Sequence, residues 1–441
     1  MELLQSDFML EKILQNLGFT ALNPMQEAVL ESARTHDTVV LSPTGSGKTV
    51  AFLLPILHRL QSESKGVQAL VLVPSRELAL QIEQVFRSMG TGYKVSCCYG
   101  GHSTKTEENI LREAPALLIG TPGRVGFHLR NQNVDPTTIH TLVLDEFDKS
   151  LEMGFQLDMA FIITRLTGLG RRIFTSATPL ATLPDFTGAE NPEELNFLEN
   201  TDYVPQLTLK AVHTEATEKL ESLFRLVCLI GAQRTLIFCN HRDAVERISE
   251  VLGRNGLVHA TFHGGLEQPD RERALMKFRN GSSRILIVTD LASRGLDIPE
   301  IESIIHYQLP LTEEAFIHRN GRTARMLAAG TVYLLLAAEE QVPYLPQFPE
   351  EQPLPESPQL PPATEWETLY LSAGKKDKVN KVDIVGLLLK KGGLEKEELG
   401  LIEVKDSTSF AAVRRHRIRE VLAKIKDEKL KGKRIKTDIA T

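Results

Sequence analysis

Two short groups of residues have the types and spacing needed to bind a nucleoside triphosphate and cleave it. The first is a glycine-rich loop, in which backbone N–H groups and a lysine suit phosphates and the last threonine offers a hydroxyl to Mg²⁺. We predict that this loop consists of Thr44, Gly45, Ser46, Gly47, Lys48 and Thr49. The second group is the pair Asp145 and Glu146. Asp145 would hold the metal through water, and Glu146 would orient or deprotonate the attacking water.

Both groups directly follow short apolar runs that are typical of buried strands, at residues 38–41 and 141–144. The loop is followed by an apolar helical segment at residues 50–60. Open α/β sheets bind ligands at the carboxyl ends of their strands, and a helix N-terminus there favours anions. Alone, the loop could be a chance Gly-Lys-Thr and the acidic pair could be a helix cap. Because the two occur together, we favour catalysis.

Strand-like and helix-like patterns alternate as far as about residue 338, which is typical of parallel sheets covered by helices. The runs predicted as strands of a first sheet are 38–41, 69–73, 116–119, 141–144 and 172–175. A second series comprises 208–213, 235–239, 259–263, 284–289, 303–307 and 331–336. The pattern predicts two tandem α/β domains, at residues 1–204 and 205–340.

The composition changes after the second series. Eight of the 22 prolines lie between Pro343 and Pro362, so we assign residues 341–366 to a semi-extended, proline-rich linker. Residues 367–441 then predict strands at 368–372, 401–405, 409–414 and 433–439 and helices at 382–391 and 417–429. That order is the ferredoxin-like plan of many RNA-binding modules. The segment has 19 Lys and Arg against 12 Asp and Glu, which favours a polyanion as its partner unless the charge is an ordinary solvated face.

The composition of the whole chain is that of a soluble globular protein, with 441 residues, 42% hydrophobic and 24% charged. The first residues include acidic side chains and predict an amphipathic helix rather than a secretory signal. No apolar run approaches the roughly 20 residues that span a bilayer. Four cysteines, Cys97, Cys98, Cys228 and Cys239, lack metal-ligand spacing. We therefore expect reduced thiols, a cytoplasmic location and no membrane contact.

The motifs occur in the order that is typical of DEAD-box RNA helicases of superfamily 2, and the chain resembles that family. Residues 18–26, with Phe19 and Gln26, resemble the adenine-reading Q motif. Residues 145–148 read Asp-Glu-Phe-Asp and resemble the motif that names the family, with Phe147 in place of alanine. Residues 176–178 read Ser-Ala-Thr and resemble the motif that couples hydrolysis to unwinding. The resemblance implies two RecA-like domains, ATP and Mg²⁺ as ligands, and unwinding of short RNA duplexes.

The same resemblance implies roles for individual residues. Phe19 and Gln26 would recognise adenine, and Asp297 would hold the ribose. Arg322 and Arg325 are three residues apart, so both could reach the γ-phosphate when the second domain closes. Arginine side chains and backbone amides suit phosphates, although an isolated arginine is more often part of a surface salt bridge. The implied contacts to the RNA backbone are Arg76, Gly101, Thr121, Gly123, Arg124, Gln268, Arg271 and Thr289.

The last segment resembles the RNA-recognition domain of the DbpA subfamily of these helicases. The matching residues are 372–378, 383–386, 392–394 and 402–404. The resemblance implies an RRM-like domain that directs the enzyme to a hairpin of large-subunit ribosomal RNA, and a role in assembly of that subunit. The implied basic contacts are Lys375, Lys376, Arg414 and Arg415, while Tyr370 and Phe410 are either stacking residues or core. We expect the protein to be a monomer.

Two other functions use the same motifs. One is an RNA clamp that closes on ATP without productive hydrolysis; the presence of Glu146, Arg322 and Arg325 argues against it. The other is a DNA helicase of the same superfamily, which the Q motif and the RNA-type tail disfavour.

Overall fold

The computed structural model describes residues 2–101, 104–180, 182–198, 206–290, 301–321, 323, 329–345 and 347–440, with the backbone alone for residues 2–8, 206 and 329. Apart from short segments outside this range, the chain forms one compact unit before residue 206 and a second from Gln206 onward. Among the described helices, none is both long and apolar enough to cross a membrane.

The first unit is built on a parallel sheet of seven strands in the order β3-β4-β2-β5-β6-β1-β7. Successive residues of its buried strands pack on opposite faces, so that Val39 and Val40 belong to different cores. The strands are β1 (Thr38–Leu41), β2 (Ala69–Leu72), β3 (Val95–Cys98), β4 (Leu117–Gly120), β5 (Thr141–Leu144), β6 (Arg171–Ser176) and β7 (Glu193–Asn196). The helices are α1 (Glu2–Leu17), α2 (Pro24–Thr35), α3 (Lys48–Arg59), α4 (Arg76–Ser88), α5 (Thr104–Leu111), α6 (Pro122–Arg130), α7 (Phe147–Glu152) and α8 (Gln156–Arg165).

The second unit begins with another parallel seven-stranded sheet, in the order β10-β11-β9-β12-β13-β8-β14. Its strands are β8 (Gln206–Thr214), β9 (Thr235–Cys239), β10 (His259–Phe262), β11 (Ile285–Thr289), β12 (Ser303–His306), β13 (Ala329–Ala337) and β14 (Glu350–Glu351). The helices are α9 (Lys219–Ile230), α10 (Arg242–Arg254), α11 (Gln268–Arg279) and α12 (Glu313–Asn320). The predicted class, two parallel α/β sheets in tandem, is confirmed.

The tail is a small antiparallel sheet in the order β16-β17-β15-β20, with its helices on one face. Its elements are β15 (Trp366–Leu371), α13 (Lys381–Gly386), β16 (Leu399–Val404), β17 (Ser409–Arg414), α14 (Ile418–Ile425), β18 (Lys429–Leu430), β19 (Lys433–Arg434) and β20 (Thr437–Ile439). A π-helical turn, Leu387–Lys391, continues α13. The ferredoxin-like order is confirmed.

Some predicted elements were wrong in extent or missing. The strands β3 and β7 were not predicted, and β4 begins and ends one residue later than expected. The last tail strand was predicted over 433–439, but only Thr437–Ile439 joins the sheet, and Lys433–Arg434 pairs with Lys429–Leu430 in a separate hairpin. The proline-rich segment also contains a strand, β14, which pairs with β8.

The proline-rich segment lies along the second unit rather than standing away from it. The Phe348 ring stacks on His213 with ring centres 5.6 Å apart. The Gln352 N–H donates to the carbonyl of Ala211 at 2.7 Å, and the Arg225 guanidinium donates to the carbonyl of Pro355 at 2.7 Å. These contacts hold the segment as a fixed strap, which limits how far the tail can range.

The tail packs the face of its sheet that its own helices leave uncovered against α11. Phe410 is 3% exposed and forms a small apolar cluster with Met276, against which Tyr370 also packs. At the edge of this contact the Arg279 guanidinium pairs with the Glu403 carboxylate at 3.3 Å. The hydroxyls of Ser282 and Thr368 lie 2.5 Å apart. Tyr370 and Phe410 are therefore core residues of an interdomain contact in this structure.

We expect Arg279→Glu to loosen this contact, because the new carboxylate would repel the partly buried Glu403. Amide hydrogen exchange should then become faster by about tenfold or more in the last turn of α11 and along β17. The matched control is Arg254→Glu on the exposed end of α10, where the arginine pairs only with Glu250 among the described residues. Unchanged exchange in the Arg279 variant would show that the ion pair adds nothing to docking.

Candidate active site and nucleic-acid interface

The glycine-rich loop has the backbone shape that its sequence predicts. Gly45 and Gly47 have positive φ angles of 83° and 93°, which L side chains rarely adopt. A Cβ on Gly47 would also lie 2.6 Å from the Gln26 amide nitrogen, so a larger residue would have to displace the Gln26 side chain in addition to adopting the strained φ. The Lys48 ammonium donates to the carbonyl of Pro43 at 2.8 Å and to that of Ser42. The loop thus curls around the lysine at the N-terminus of α3.

The segment predicted to read adenine is bonded to this loop. Asn23 caps α2, and its side-chain amide donates to the carbonyl of Ser46 at 2.9 Å. The Gln26 amide, 4% exposed, donates to the carbonyl of Gly47 at 3.3 Å. Phe19 is half-buried and packs against the adjoining apolar core. The predicted adenine-binding residues therefore lie beside the predicted phosphate-binding residues.

The two carboxylates of the second motif are organised by a threonine on the neighbouring strand. Thr175 of β6 donates its hydroxyl hydrogen to Asp145 and accepts the N–H of Glu146 at 3.2 Å. Burial raises the pKa of the Asp145 carboxyl, although the Thr175 hydrogen bond and the charge of Lys48 oppose the rise. Because β1 and β5 both pair in parallel with β6, the loop and the carboxylates leave the same edge of the sheet.

Glu146 has an unusual backbone conformation. Its φ of 47° and ψ of 52° lie in the left-handed region, at the position that begins α7. This conformation costs a residue with a side chain roughly 1–2 kcal/mol. The turn directs the chain from the end of β5 into α7 within two residues, Asp145 and Glu146. Such strain is typical of functional positions, where it fixes the direction of a side chain.

The residues after Glu146 connect the carboxylates to the Ser-Ala-Thr motif. The Asp148 carboxylate accepts the Thr178 hydroxyl at 3.1 Å. Ser176 in turn donates its hydroxyl to the carbonyl of Thr178 at 2.6 Å and accepts the Thr178 N–H. All three side chains are buried. A change at either motif would therefore be transmitted to the other through hydrogen bonds.

Phe147, the departure from the family motif, fills a pocket of the first unit. Its side chain is fully buried. Its ring meets Phe174 edge-on at 5.5 Å and lies 6.4 Å from Phe186. Phe147, which is larger than the alanine of the family motif, is thus accommodated by packing against Phe174 and Phe186.

The residues present fit a triphosphate and Mg²⁺. The loop curls through two glycines with positive φ angles at the N-terminus of α3, where backbone N–H groups favour an anion. Thr49 and Asp145 would supply oxygen ligands, which Mg²⁺ prefers. A divalent cation would also offset the burial that raises the pKa of Asp145.

Several predicted RNA contacts of the first unit gather around β3 and the start of α6. The Arg76 guanidinium lies over the Tyr99 ring, 4.7 Å from its centre. Gly101 has a φ of 89°. Thr121 precedes α6, and Gly123 and Arg124 are in its first turn. The Arg124 guanidinium pairs with the buried Glu107 at 3.1 Å.

The predicted RNA contacts of the second unit lie at the ends of two elements. Gln268 begins α11 and donates to Glu272 at 3.1 Å; Arg271 follows in the same turn. Thr289 ends β11. Asp297, Arg322 and Arg325 lie outside the described residues.

A buried arginine that the sequence analysis did not single out organises the second unit. Arg319 has no exposed surface. Its guanidinium makes a two-pronged pair with Asp290, at 2.6 and 3.0 Å, and donates to Asn240 at 2.7 Å. Burial and then the nearby Arg319 lower the pKa of His306 to about 3. These contacts fix the end of α12 at the carboxyl edge of the sheet.

The predicted basic contacts of the tail fall into two classes. Lys375 and Lys376 are exposed in a short turn after β15. The backbone N–H groups of these two lysines donate to the carbonyls of Lys405 and Asp406, respectively. Arg414 instead stacks on Trp366 at 4.2 Å and pairs with Glu365.

Arg415 also bonds within the chain. Its guanidinium pairs with Glu367 at 3.2 Å and donates to the carbonyl of Thr364 at 2.7 Å. Arg414 and Arg415 thus hold the strap end of the tail, and their contact with RNA stays a prediction.

Family models match three consecutive parts of the chain. Residues 23–186 match the DEAD/DEAH box helicase model, and residues 218–327 match the helicase conserved C-terminal domain. Residues 368–439 match the DbpA RNA binding domain.

Two curated relatives match this chain over nearly their whole length. An "ATP-dependent RNA helicase DbpA" of Escherichia coli is 31% identical over 433 residues, which are 95% of this chain and 94% of that protein. A protein of the same name from Bacillus subtilis is 28% identical over 97% of each chain. Among solved structures, S. cerevisiae Dbp5 bound to RNA and ADP BeF3 has a TM-score of 0.66 at 26% identity, covering 75% of this chain and 88% of that one.

Proposed function

The chain belongs to the DEAD-box ATP-dependent RNA helicases of the DbpA type, and from that premise we propose how its residues carry out an RNA-stimulated ATPase cycle. Backbone N–H groups of residues 44–49 and the Lys48 ammonium bind the phosphates of ATP. Thr49 and Asp145 would hold Mg²⁺, partly through water, which would supply positive charge beside the phosphates. Glu146 orients the water that attacks the γ-phosphate.

The observation that supports this chemistry most directly is the joint arrangement of the loop and the carboxylates. The strands that precede them, β1 and β5, both pair with β6, and Thr175 of β6 bridges Asp145 and Glu146. Phosphate release from ATP, with RNA and with DNA of the same sequence, tests the proposal. Hydrolysis stimulated by RNA well beyond DNA is expected; release without stimulation by either would contradict coupling to RNA.

We further propose that the cycle requires residues of both helicase domains. Arg322 and Arg325 would stabilise the charge that develops on the γ-phosphate, and Asp297 would hold the ribose, as the family resemblance implies. Arg76, Arg124, Gln268 and Arg271 would bind RNA phosphates. Because these contacts do not read bases, the two domains would act on RNA of any sequence.

Specificity would then reside in the tail, and we propose ribosomal RNA of the large subunit as its target. Support comes from the match of residues 368–439 to the DbpA RNA binding domain. The exposed Lys375 and Lys376 would bind RNA phosphates. We propose that this monomeric enzyme remodels RNA during large-subunit assembly in the cytoplasm.

Replacing both Lys375 and Lys376 with glutamine should remove one dominant ribosomal crosslink while leaving ATP hydrolysis on unstructured RNA unchanged. Both side chains are exposed, so the fold of the tail should persist. The measurement is a crosslinking map of the full-length protein on cellular RNA. The matched control changes Lys426 and Lys429, two exposed lysines at the end of α14 and in β18. An identical map for the Lys375/Lys376 variant would contradict targeting by this turn.

A further inference from the structure

A buried carboxylate with no assigned role lies among the predicted RNA contacts of the first unit. Glu107, on α5, is 4% exposed. Its Oε1 accepts the backbone N–H of Tyr99 at 3.1 Å. Its Oε2 forms an ion pair with Arg124 Nε at 3.1 Å and lies 2.8 Å from His128 Nε2. One side chain thus joins β3, α5 and α6.

The hydrogen bonds around His128 define which nitrogen carries its proton. His128 is fully buried, and its Nδ1 lies 3.0 Å from the Asn133 side-chain amide nitrogen. That amide can only donate, so Nδ1 accepts and Nε2 carries the hydrogen that Glu107 accepts. Glu107 therefore accepts the N–H groups of Tyr99 and His128 on different oxygens, and it also forms an ion pair with the Arg124 guanidinium. A carboxylate satisfies all of them, whereas an amide side chain offers only one accepting oxygen.

The bonds to Glu107 reach three segments that are predicted to touch RNA. The Arg124 Nε–H donates to the carbonyl of Tyr99 at 3.3 Å, and the same nitrogen forms the ion pair with Glu107. The N–H of Tyr99 fixes the strand end that leads into Gly101, and the Tyr99 ring supports the Arg76 guanidinium at 4.7 Å. A long arginine side chain loses rotamer freedom when it binds phosphate, so prior fixation favours binding.

We propose that Glu107 is a positioning residue that fixes Arg124 and the strand end at Tyr99 for contact with RNA phosphates. This inference rests on the proposed function, in which Arg124 binds the RNA backbone. Glu107 itself does not touch RNA, because its carboxylate is buried behind the groups that it holds. Its negative charge also balances the guanidinium in a buried setting, where an unpaired ion is costly.

The test is Glu107→Gln in the full-length enzyme. We expect the RNA concentration for half-maximal ATPase stimulation to rise about tenfold, which corresponds to ~1.4 kcal/mol, with the rate at saturating RNA and the half-saturating ATP concentration unchanged. Glu113→Gln is the matched control. That carboxylate lies two residues beyond the end of α5 and is 92% exposed. Equal RNA dependence in wild type and the Glu107 variant would overturn the proposal.

A double-mutant cycle with Arg124→Gln separates positioning from a general structural effect. If Glu107 acts mainly through Arg124, the double variant should bind RNA only slightly more weakly than Arg124→Gln alone, with the small difference coming from the strand end at Tyr99. Full additivity would overturn the positioning role. If Arg124→Gln binds RNA as well as wild type, the proposed contact between Arg124 and RNA is contradicted. If Arg124→Gln weakens RNA binding but Glu107→Gln does not, only the positioning role of Glu107 is contradicted.

Variants at His128 keep the test decisive if Glu107→Gln folds poorly. His128→Leu removes one donor to Glu107 and should raise the half-stimulating RNA concentration several-fold. His128→Gln can place an N–H₂ near the position of Nε2 and should restore most of the affinity. Equal RNA dependence in both variants would show that the hydrogen bond to Glu107 is not used.

Discussion

Replacing Glu146 with glutamine is expected to lower RNA-stimulated ATP hydrolysis by about 10²–10⁴-fold, the range typical of a lost general base. The amide keeps the size of the side chain but cannot accept a proton from water. Because the N–H of residue 146 still bonds to Thr175, the left-handed turn should persist. ATP and RNA should therefore still bind, and phosphate release should be the affected step.

The experiment measures phosphate release beside ATP-dependent RNA binding in the same samples. Glu31→Gln is the control, because that carboxylate is 75% exposed on α2. Hydrolysis near the wild-type rate in the Glu146 variant would mean that another group activates the water. If the Glu146 variant lost both RNA binding and ATP hydrolysis, the turn would have collapsed. A wild-type protein that binds RNA with ATP but releases no phosphate would be the clamp that the sequence left as an alternative.

Phe147→Ala is expected to destabilise the first unit by about 3–5 kcal/mol, although it restores the alanine that the family carries. The ring is fully buried between Phe174 and Phe186, so its removal leaves a cavity that rigid neighbouring strands cannot fill. Amide exchange in β5 and β6 reports the loss directly, since a chain of several domains does not unfold in one step.

The control for this variant is Phe348→Ala, which removes a ring that is 64% exposed. That change should alter the opening free energy that amide exchange reports in β5 and β6 by less than about 0.5 kcal/mol. If the amides of β5 and β6 exchanged as slowly in the Phe147→Ala variant as in wild type, the phenylalanine cluster would contribute nothing to stability. Faster exchange confined to the 182–188 segment would instead show that the ring holds only that segment.

Buried strands were the most predictable elements, and edge strands were the least. Runs such as Thr141–Leu144 are apolar on both faces because helices cover both sides of a parallel sheet. The edge strand Glu193–Asn196 has mostly exposed, polar residues and so lacks that signal. Val95–Cys98, at the other edge, is short and carries a serine. Their strand form comes from pairing with β1 and β4, which sequence pattern does not show.

The error in the last tail strand has a local cause. Lys431 and Gly432 have φ angles of 49° and 78°, and they link β18 to β19. Two successive positive φ angles are typical of a tight hairpin turn. The lysine at the first position carried no sequence signal for this turn, so the run 433–439 was predicted as one strand.

The site was predictable where chemistry and local sequence coincide. The loop residues and Asp145–Glu146 follow strand ends directly, and their types alone indicate phosphate and metal chemistry. Thr175 was missed because its role depends on strand register: β5 pairs with β6 so that Leu144 faces Phe174, which brings the next residues together. The roles of Glu107 and Arg319 were missed because their partners are distant in sequence and meet them only in the folded chain.

The contact between the tail and α11 limits how freely such tails can be exchanged between helicases. The first turn of α11 carries Gln268 and Arg271, and its last turns carry Met276 and Arg279, which meet the tail. A chimera that received a foreign tail would expose Met276 and leave Arg279 without Glu403. Transplanting a new RNA address onto this enzyme would therefore require grafting the matching half of α11 as well.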